Sequence, residues 1–249
     1  MTLTISGKHC LCPKNEGASR VLDLGTGTGI WAMDYADAHP DTEIDDLEKA
    51  WTWSQPFDFI FSRMMTGSFS NNASIVEKAF NHLEPGGYFE AQDMALPLGC
   101  DDGTLTEDSD LWKWMLLVME GMEGFQRPVV AAQKWKEMME AAGFESVVEV
   151  VYKWPTNRWP RDKKHKELGM WSLANMDQAL EPASLAPLTR ALGYTKDEVL
   201  VLVSKARKVL RDTSVHAYWP IHIVYGRKPL NAPVNLPEHG MSPHSGAED

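Results

Sequence analysis

One nine-residue stretch, Val21-Leu-Asp-Leu-Gly-Thr-Gly-Thr-Gly29, constrains the fold more than any other part of this sequence. It joins a short apolar run, Val21–Leu24, to three glycines, and apolar residues at helical spacing follow over Ile30–Ala38. Glycine lets the backbone turn sharply and approach a ligand closely. The first turn of the helix that follows offers free amide groups. The pattern therefore predicts a strand, a ligand-binding turn and a helix, in that order.

The residues around the glycines narrow the class of ligand. A dinucleotide-binding turn of the form G-x-G-x-x-G would need glycine at position 30, where this chain has Ile30. Asp23 lies two residues before the first glycine, and its carboxylate would repel a phosphate but attract an ammonium group. S-adenosylmethionine carries an ammonium group and a sulfonium cation, and it has no phosphate. The turn therefore favours S-adenosylmethionine, with a dinucleotide oxidoreductase and a purely structural turn as the alternatives.

Strand and helix patterns alternate through the first hundred residues. Short apolar runs bounded by turn residues predict strands, and apolar residues three and four apart predict helices. Ser74 with Glu77 has the form of a capping box, and Pro85-Gly86-Gly87 separates the last helix from the last strand. The predicted elements are strand Val21–Leu24, helix Ile30–Ala38, strand Phe57–Phe61, helix Ser74–Leu83 and strand Tyr88–Met94. This alternation predicts an α/β fold with a mostly parallel sheet.

The second half of the chain predicts further helices and two late strands. Gly143 is placed to end one helix, and Thr195 with Glu198 forms a capping box at the start of another. Pro220 requires a bulge or an edge position in the last strand. The predicted elements are helices Asp108–Glu123, Val130–Ala142, Lys163–Leu192 and Thr195–Arg211, and strands Phe144–Trp154 and His216–Gly226.

These elements suggest the domain organisation. We expect one domain over residues 1–230, in which the two late strands form an antiparallel hairpin at the edge of the sheet. Helical insertions at about 97–130 and 155–212 would cap a cleft. Residues 231–249 are rich in proline, serine and glycine and predict a disordered tail.

Three segments carry a resemblance to a known family. They are Val21–Trp31, Trp51–Phe69 and Leu83–Asp93, and the run Ser62–Gly67 is the most specific piece. The chain resembles the fungal LaeA-like class I methyltransferases over most of residues 2–230, more loosely after residue 100. The resemblance implies a Rossmann-like sheet and an S-adenosylmethionine-dependent methyltransferase of fungal secondary metabolism.

The resemblance also implies where the cofactor binds. The glycine turn would hold the methionine part, and a later acidic pair would lie near the adenine. Ser62 and Arg63 would border the cleft that takes the cofactor and a small-molecule substrate. Because methyl transfer mainly requires alignment of the acceptor and exclusion of water, we assign no catalytic residue. The implied cofactor residues are Asp23, Gly25, Thr26, Gly27, Gly29, Asp45, Asp46, Ser62 and Arg63.

The cofactor half of the chain is shorter than this resemblance requires. Only 27 residues separate Gly29 from Phe57, and the predicted helix to Ala38 uses about nine of them. A parallel crossover alone needs about a dozen or more. We therefore expect one strand–helix unit to be absent near Glu43. In the family this unit carries the acid that binds the ribose hydroxyls. Replacement of that acid by Asp41 or Glu43 is the less favoured alternative. A catalytically weak or inactive regulatory partner protein is thus the alternative function, and a gene-model error would also explain the shortening.

Composition and charge disfavour several other classes. The chain has 24 Lys and Arg against 35 Asp and Glu, a net charge of −11, which disfavours direct nucleic-acid binding. Its longest apolar runs, Trp114–Met119 and Val199–Val203, are far shorter than the roughly 18 residues of a membrane span. Three cysteines cannot build a disulfide framework, so we expect a cytoplasmic protein. The basic run Lys163-Lys-His-Lys166 keeps the nucleus as the weaker alternative.

The run His9-Cys10-Leu-Cys12 has residue types that bind metals. A zinc site built from sequence-local pairs would need a second Cys or His pair at zinc spacing, and the chain has none. We therefore expect Cys10 and Cys12 to be structural and predict no metal site.

Overall fold

The computed structural model describes residues 4–15, 17–25, 51–129 and 131–234. The strands in this part of the chain are β1 (Val21–Leu24), β2 (Phe57–Arg63), β3 (Leu83–Met94), β4 (Gly99–Cys100), β5 (Glu145–Pro155) and β6 (Ala217–Arg227). The α-helices are α1 (Asn72–His82), α2 (Asp110–Gly124), α3 (Trp135–Ala142), α4 (Lys163–Ala186) and α5 (Lys196–Arg211). The predicted helix Ile30–Ala38 and most of the predicted tail lie outside the described residues.

The six strands form one mixed sheet in the order β1-β2-β3-β6, with β5 on the far side of β6. β1, β2 and β3 are parallel, and β6 is antiparallel to β3, β4 and β5. β6 is therefore the one described strand that runs against the others. This arrangement confirms the predicted Rossmann-like sheet with an antiparallel C-terminal hairpin. The strand–helix unit expected to be absent near Glu43 falls in residues 26–50, outside the described residues, and stays a prediction.

Alternation along the strands divides the side chains between two apolar layers. On one face, Leu22, Ile60 and Ala91 pack with buried residues of α1 and α3. On the other face, Phe59 and Phe61 pack against the N-terminal segment that carries Cys10, Cys12 and Ala18. The N-terminal segment thus covers the sheet directly behind β1 and β2.

A third apolar cluster joins the helices of the second half to the start of β6. Trp219 and Ile221 of β6 are buried with residues of α2, α4 and α5. Trp114 of α2 donates its indole N–H to the Ser184 hydroxyl of α4 at 2.7 Å, and both residues are buried. No helix among the described residues has the length and apolar character needed to cross a membrane.

Helix α1 begins earlier than the sequence pattern predicts. The side chain of Asn71 accepts a hydrogen bond from the Ser74 amide at 3.0 Å, so Asn71 is the N-cap and Ser74 lies in the first turn. The predicted capping box of Ser74 with Glu77 is therefore wrong. The predicted capping box of Thr195 with Glu198 is confirmed at the start of α5.

Of the bulge or edge position predicted for Pro220, the edge is not observed: Pro220 lies in an interior strand, opposite an interruption between β3 and β4. The Pro220 carbonyl accepts from the Ala95 amide at 2.8 Å, on the side where β3 has ended at Met94. β4 resumes pairing with β6 only at Gly99, opposite Tyr218. The amide and the carbonyl of one strand residue point to the same side. The Pro220 nitrogen therefore faces the interruption, where the β3–β6 ladder has already ended and the missing N–H is tolerated.

Candidate cofactor site

The carboxyl ends of β1, β2 and β3 meet at one edge of the sheet. The register places Leu24 beside Ser62, Ser62 beside Ala91 and Arg63 beside Gln92. Ligands of doubly wound sheets bind outside the carboxyl ends of the strands. The structure therefore brings together Asp23, Gly25, Ser62 and Arg63, four of the predicted cofactor residues.

Asp23 is the buried acid at this edge. Its side chain points to the same face as Phe61, and the residue is only 4% exposed. Burial raises its pKa from an ordinary value of 3.8 to about 6, and the Arg63 charge opposes this shift. At neutral pH the group is mostly a carboxylate that has lost much of its hydration. Such a carboxylate favours a cationic ligand group, because a nearby positive charge offsets the cost of its burial.

Gly25 begins the turn that follows β1. Its φ of +80° lies in the left-handed region that favours glycine. A Cβ at this position would stand 2.3 Å from the Met65 sulfur, so the Met65 side chain lies directly against the turn. The rest of the predicted turn and the predicted acidic pair, Thr26, Gly27, Gly29, Asp45 and Asp46, lie outside the described residues.

Ser62 and Arg63 end β2 on opposite faces of the sheet. The Ser62 hydroxyl is buried and has no hydrogen-bond partner among the described residues. Buried polar groups are nearly always paired, so an unpaired hydroxyl at a ligand-binding edge is a candidate ligand contact. Arg63 shares the face of Asp23 and is close enough to lower its pKa.

A second buried acid at this edge was not predicted from the sequence. Asp93 accepts hydrogen bonds from the Thr66 amide at 3.0 Å and the Thr66 hydroxyl at 2.6 Å. Burial raises the Asp93 pKa to about 6, and the Thr66 hydrogen bonds oppose that shift. Thr66 lies in the run Ser62–Gly67, and Asp93 ends the segment Leu83–Asp93. Both residues therefore lie in segments that resemble the family, although neither was predicted as a site residue. Their contact fixes the loop after β2 against the end of β3.

A cavity of 670 Å³ lies at the same edge, on the side of β5 and β6. Because β5 runs parallel to β1, its carboxyl end at Pro155 faces the same way as Asp23. The cavity is lined by aromatic and charged side chains from β5, β6 and the start of α4. They include Tyr152, Lys153, Trp159, Arg161, His165 and Tyr218. A cavity of this size suits a small organic molecule.

The mostly parallel sheet, Gly25 at the end of β1 and the buried acids at the carboxyl edge are the features of a Rossmann-like α/β protein. A family model described as a methyltransferase domain matches residues 4–150, more than half of the chain. The chain belongs to this methyltransferase domain family. Membership confirms the predicted resemblance and agrees with S-adenosylmethionine as the predicted cofactor.

Two fungal relatives resemble the chain over most of its length. One is a probable methyltransferase, tdiE, of Emericella nidulans, 34% identical over 248 residues that cover 91% of this chain and 78% of that protein. The other is the secondary metabolism regulator LAE1 of Cochliobolus heterostrophus, 32% identical over 235 residues that cover 84% of this chain and 76% of that protein.

Among solved structures, a phosphoethanolamine N-methyltransferase of Haemonchus contortus, in complex with S-adenosyl-L-methionine, matches 86% of this chain. The identity is 18% and the TM-score is 0.48. The matched region spans 49% of that longer chain.

Proposed function

We propose that this protein is an S-adenosylmethionine-dependent methyltransferase that acts on a small molecule in fungal secondary metabolism. The observation that carries the proposal is Asp23, a buried carboxylate at the carboxyl end of β1 beside a glycine turn. A carboxylate there suits the ammonium group of the cofactor and disfavours a phosphate-bearing one. The secondary-metabolism context is inferred from the fungal relatives.

The described residues fit this cofactor at three points. Asp23 would bind the ammonium group, the turn that begins at Gly25 would lie along the methionine part, and the unpaired Ser62 hydroxyl would gain a partner. When bound, S-adenosylmethionine supplies a methyl group that its sulfonium already activates. The protein's own task is then to orient an acceptor and to exclude water.

The 670 Å³ cavity is the candidate binding region for that acceptor, which would have to extend from it toward Gly25, because β5 lies four strand positions from β1. Trp159 and Tyr218 offer aromatic surface. Lys153 and His165 already pair with the lining carboxylates of Asp101 and Asp162, so the lining favours a flat organic molecule that carries hydrogen-bonding groups. We also propose a cytoplasmic location, because the cysteines among the described residues form no disulfide.

A regulatory partner protein with little catalysis is the second candidate. Two observations favour it: only 27 residues lie between Gly29 and Phe57, and one relative is named a regulator of secondary metabolism. Such a protein would keep the sheet and the cap helices while losing part of the grip on the adenosine.

Transfer of a labelled methyl group separates the two candidates. The purified chain is incubated with S-adenosylmethionine that carries an isotopically labelled methyl group, together with a fungal small-molecule extract or a fungal protein extract. We expect label in a small-molecule product, and we expect Asp23→Asn to abolish it. Asp108→Asn changes a fully exposed acid and should leave the transfer unchanged. Label confined to proteins would contradict the small-molecule substrate, and a folded chain that transfers no label to either extract would favour the regulatory candidate.

A further inference from the structure

Three metal-ligating side chains meet behind the sheet, on the face opposite α1 and α3. Cys10 and Cys12 come from the N-terminal segment, and Glu90 comes from the middle of β3. All three are buried, and one ligand atom from each lies within 4.8 Å of the others. Their burial distinguishes this group from the exposed acidic clusters that are common on protein surfaces.

Glu90 is held in place by the same segment that carries the cysteines. Its carboxylate accepts from the Leu11 amide at 2.9 Å and from the Cys12 amide at 2.6 Å. These hydrogen bonds fix the distance between the strand and the Cys-Leu-Cys turn. They are the kind of supporting contacts that orient the ligands of metal sites.

Gln92 provides an independent indication of an absent partner. It is 1% exposed, and its amide nitrogen donates to Glu90 at 2.7 Å. Its carbonyl oxygen is buried and has no hydrogen-bond partner among the described residues. The amide cannot be turned to satisfy this oxygen, because the oxygen would then face the Glu90 carboxylate. An unpaired acceptor therefore lies on the side chain that contacts Glu90, one of the three clustered ligands.

The spacing of the two sulfurs matches a tetrahedral metal site. The Sγ atoms of Cys10 and Cys12 are 3.7 Å apart. Two thiolates bound to one tetrahedral zinc ion, each at about 2.3 Å, stand roughly 3.8 Å apart. A disulfide would require about 2.05 Å. Sulfur and carboxylate ligands suit Zn²⁺, whereas Ca²⁺ and Mg²⁺ bind oxygen ligands.

We propose that Cys10, Cys12 and Glu90 bind one zinc ion, with the Gln92 carbonyl oxygen as the fourth ligand. Each thiol releases its proton to solvent as its sulfur binds, and the two thiolates with the carboxylate outweigh the charge of the ion by one. Tyr88 on β3 and Tyr225 on β6 pack against the cysteine cluster. The metal would fix the N-terminal segment to the sheet, two strands away from Asp23, since Glu90 pairs with Phe61 and Phe61 with Asp23.

The sequence expectation of no metal counted only neighbouring cysteine and histidine pairs. Glu90 and Gln92 lie about 80 residues from the cysteines and reach them only through the sheet. The site is also separate from the proposed cofactor contacts, so zinc binding and S-adenosylmethionine binding can succeed or fail independently.

Cobalt(II) is the probe that tests the proposal, because thiolate ligands give cobalt a characteristic charge-transfer absorption. The chain has three cysteines, and Cys100 lies beside Asp102 near the surface, where it could bind cobalt by itself. The full-length Cys100→Ser variant removes that source. Any thiolate–cobalt band in this variant must then come from Cys10 and Cys12, without the need for a variant that disturbs the core.

We expect the Cys100→Ser variant to show the band, to retain about one zinc ion per chain by elemental analysis, and to lose the band when zinc is added. Gln92→Ala should weaken zinc binding roughly 10- to 100-fold, and Cys10→Ser should remove the band. A folded Cys100→Ser variant that shows no band at saturating cobalt and retains no zinc would overturn the proposal. So would equal zinc retention by wild type and a folded Cys10→Ser/Cys12→Ser variant.

Discussion

Replacement of Asp23 by asparagine should remove a pH-dependent cost to the stability of the free protein and weaken its binding of S-adenosylmethionine. The two effects have one cause. The carboxylate is buried, 4% exposed, and its pKa is raised to about 6, so the free protein bears a cost in keeping it ionised at neutral pH. A bound ammonium group would offset that cost, and asparagine avoids it altogether but cannot attract the cation.

The magnitude follows from the pKa. A rise from 3.8 to about 6 is roughly two units, and each unit corresponds to about 1.4 kcal/mol. A raised pKa means that the folded state binds the proton more tightly than the unfolded state. The contribution of Asp23 to stability is therefore most favourable below pH 3.8 and is lost as the pH rises through about 6. Between pH 3.8 and pH 7 the wild type should therefore lose up to about 3 kcal/mol of stability relative to Asp23→Asn.

Denaturant unfolding at several pH values measures how the difference in stability between wild type and Asp23→Asn changes with pH. Asp58→Asn is the matched control. Asp58 is also buried, but it accepts from the Ser19 and Arg20 amides at 2.7 and 3.0 Å and pairs with Lys14. Its replacement should therefore destabilise the protein by about 1.5–3 kcal/mol. If the stability of Asp23→Asn fell with rising pH as much as that of the wild type, or if the substitution left cofactor affinity unchanged, the assignment of Asp23 would be refuted.

Three further outcomes are expected. Cofactor affinity should fall roughly tenfold per pH unit below about pH 6 as Asp23 takes up a proton, and calorimetry of Asp23→Asn should show no such dependence. Gly103→Ala, at φ +75° with open space around it, should cost about 1–2 kcal/mol in denaturant unfolding. Gly25→Ala, at φ +80°, also has to displace the flexible end of Met65 and should cost at least as much; a smaller cost would contradict this close approach. Ser184→Ala should cost about 1–3 kcal/mol by leaving the Trp114 indole N–H unpaired, and the double variant with Trp114→Phe should lose less than the sum of the two single changes.

Much of the fold was predictable because its signals are local. Val21–Leu24 and Phe57–Phe61 are short apolar runs with turn residues beside them, and both are strands of the sheet. The start of α1 was missed because two polar residues three positions apart, Asn71 and Ser74, can each cap the helix, and only the Asn71 hydrogen bond decides between them. For Pro220 the sequence predicted a bulge or an edge position, and it cannot show that β3 ends and β4 begins opposite this residue.

The site was predictable only in part for a related reason. Asp23 and Gly25 follow one another in the chain, so the strand–acid–glycine pattern predicts them directly. The contact between Thr66 and Asp93 joins residues 27 positions apart and exists only because β2 and β3 pair. The approach of Glu90 to the cysteines likewise depends on how the N-terminal segment lies on the sheet.

The most direct test of the central claim is a calorimetric titration of the purified chain with S-adenosylmethionine and S-adenosylhomocysteine. The claim is that the carboxyl edge of β1 and β2 binds this cofactor although the connection between Gly29 and Phe57 is short. We expect micromolar binding of both ligands, weakened by Asp23→Asn and retained by Asp108→Asn. A wild-type chain that unfolds cooperatively yet binds neither ligand would contradict cofactor binding at this edge.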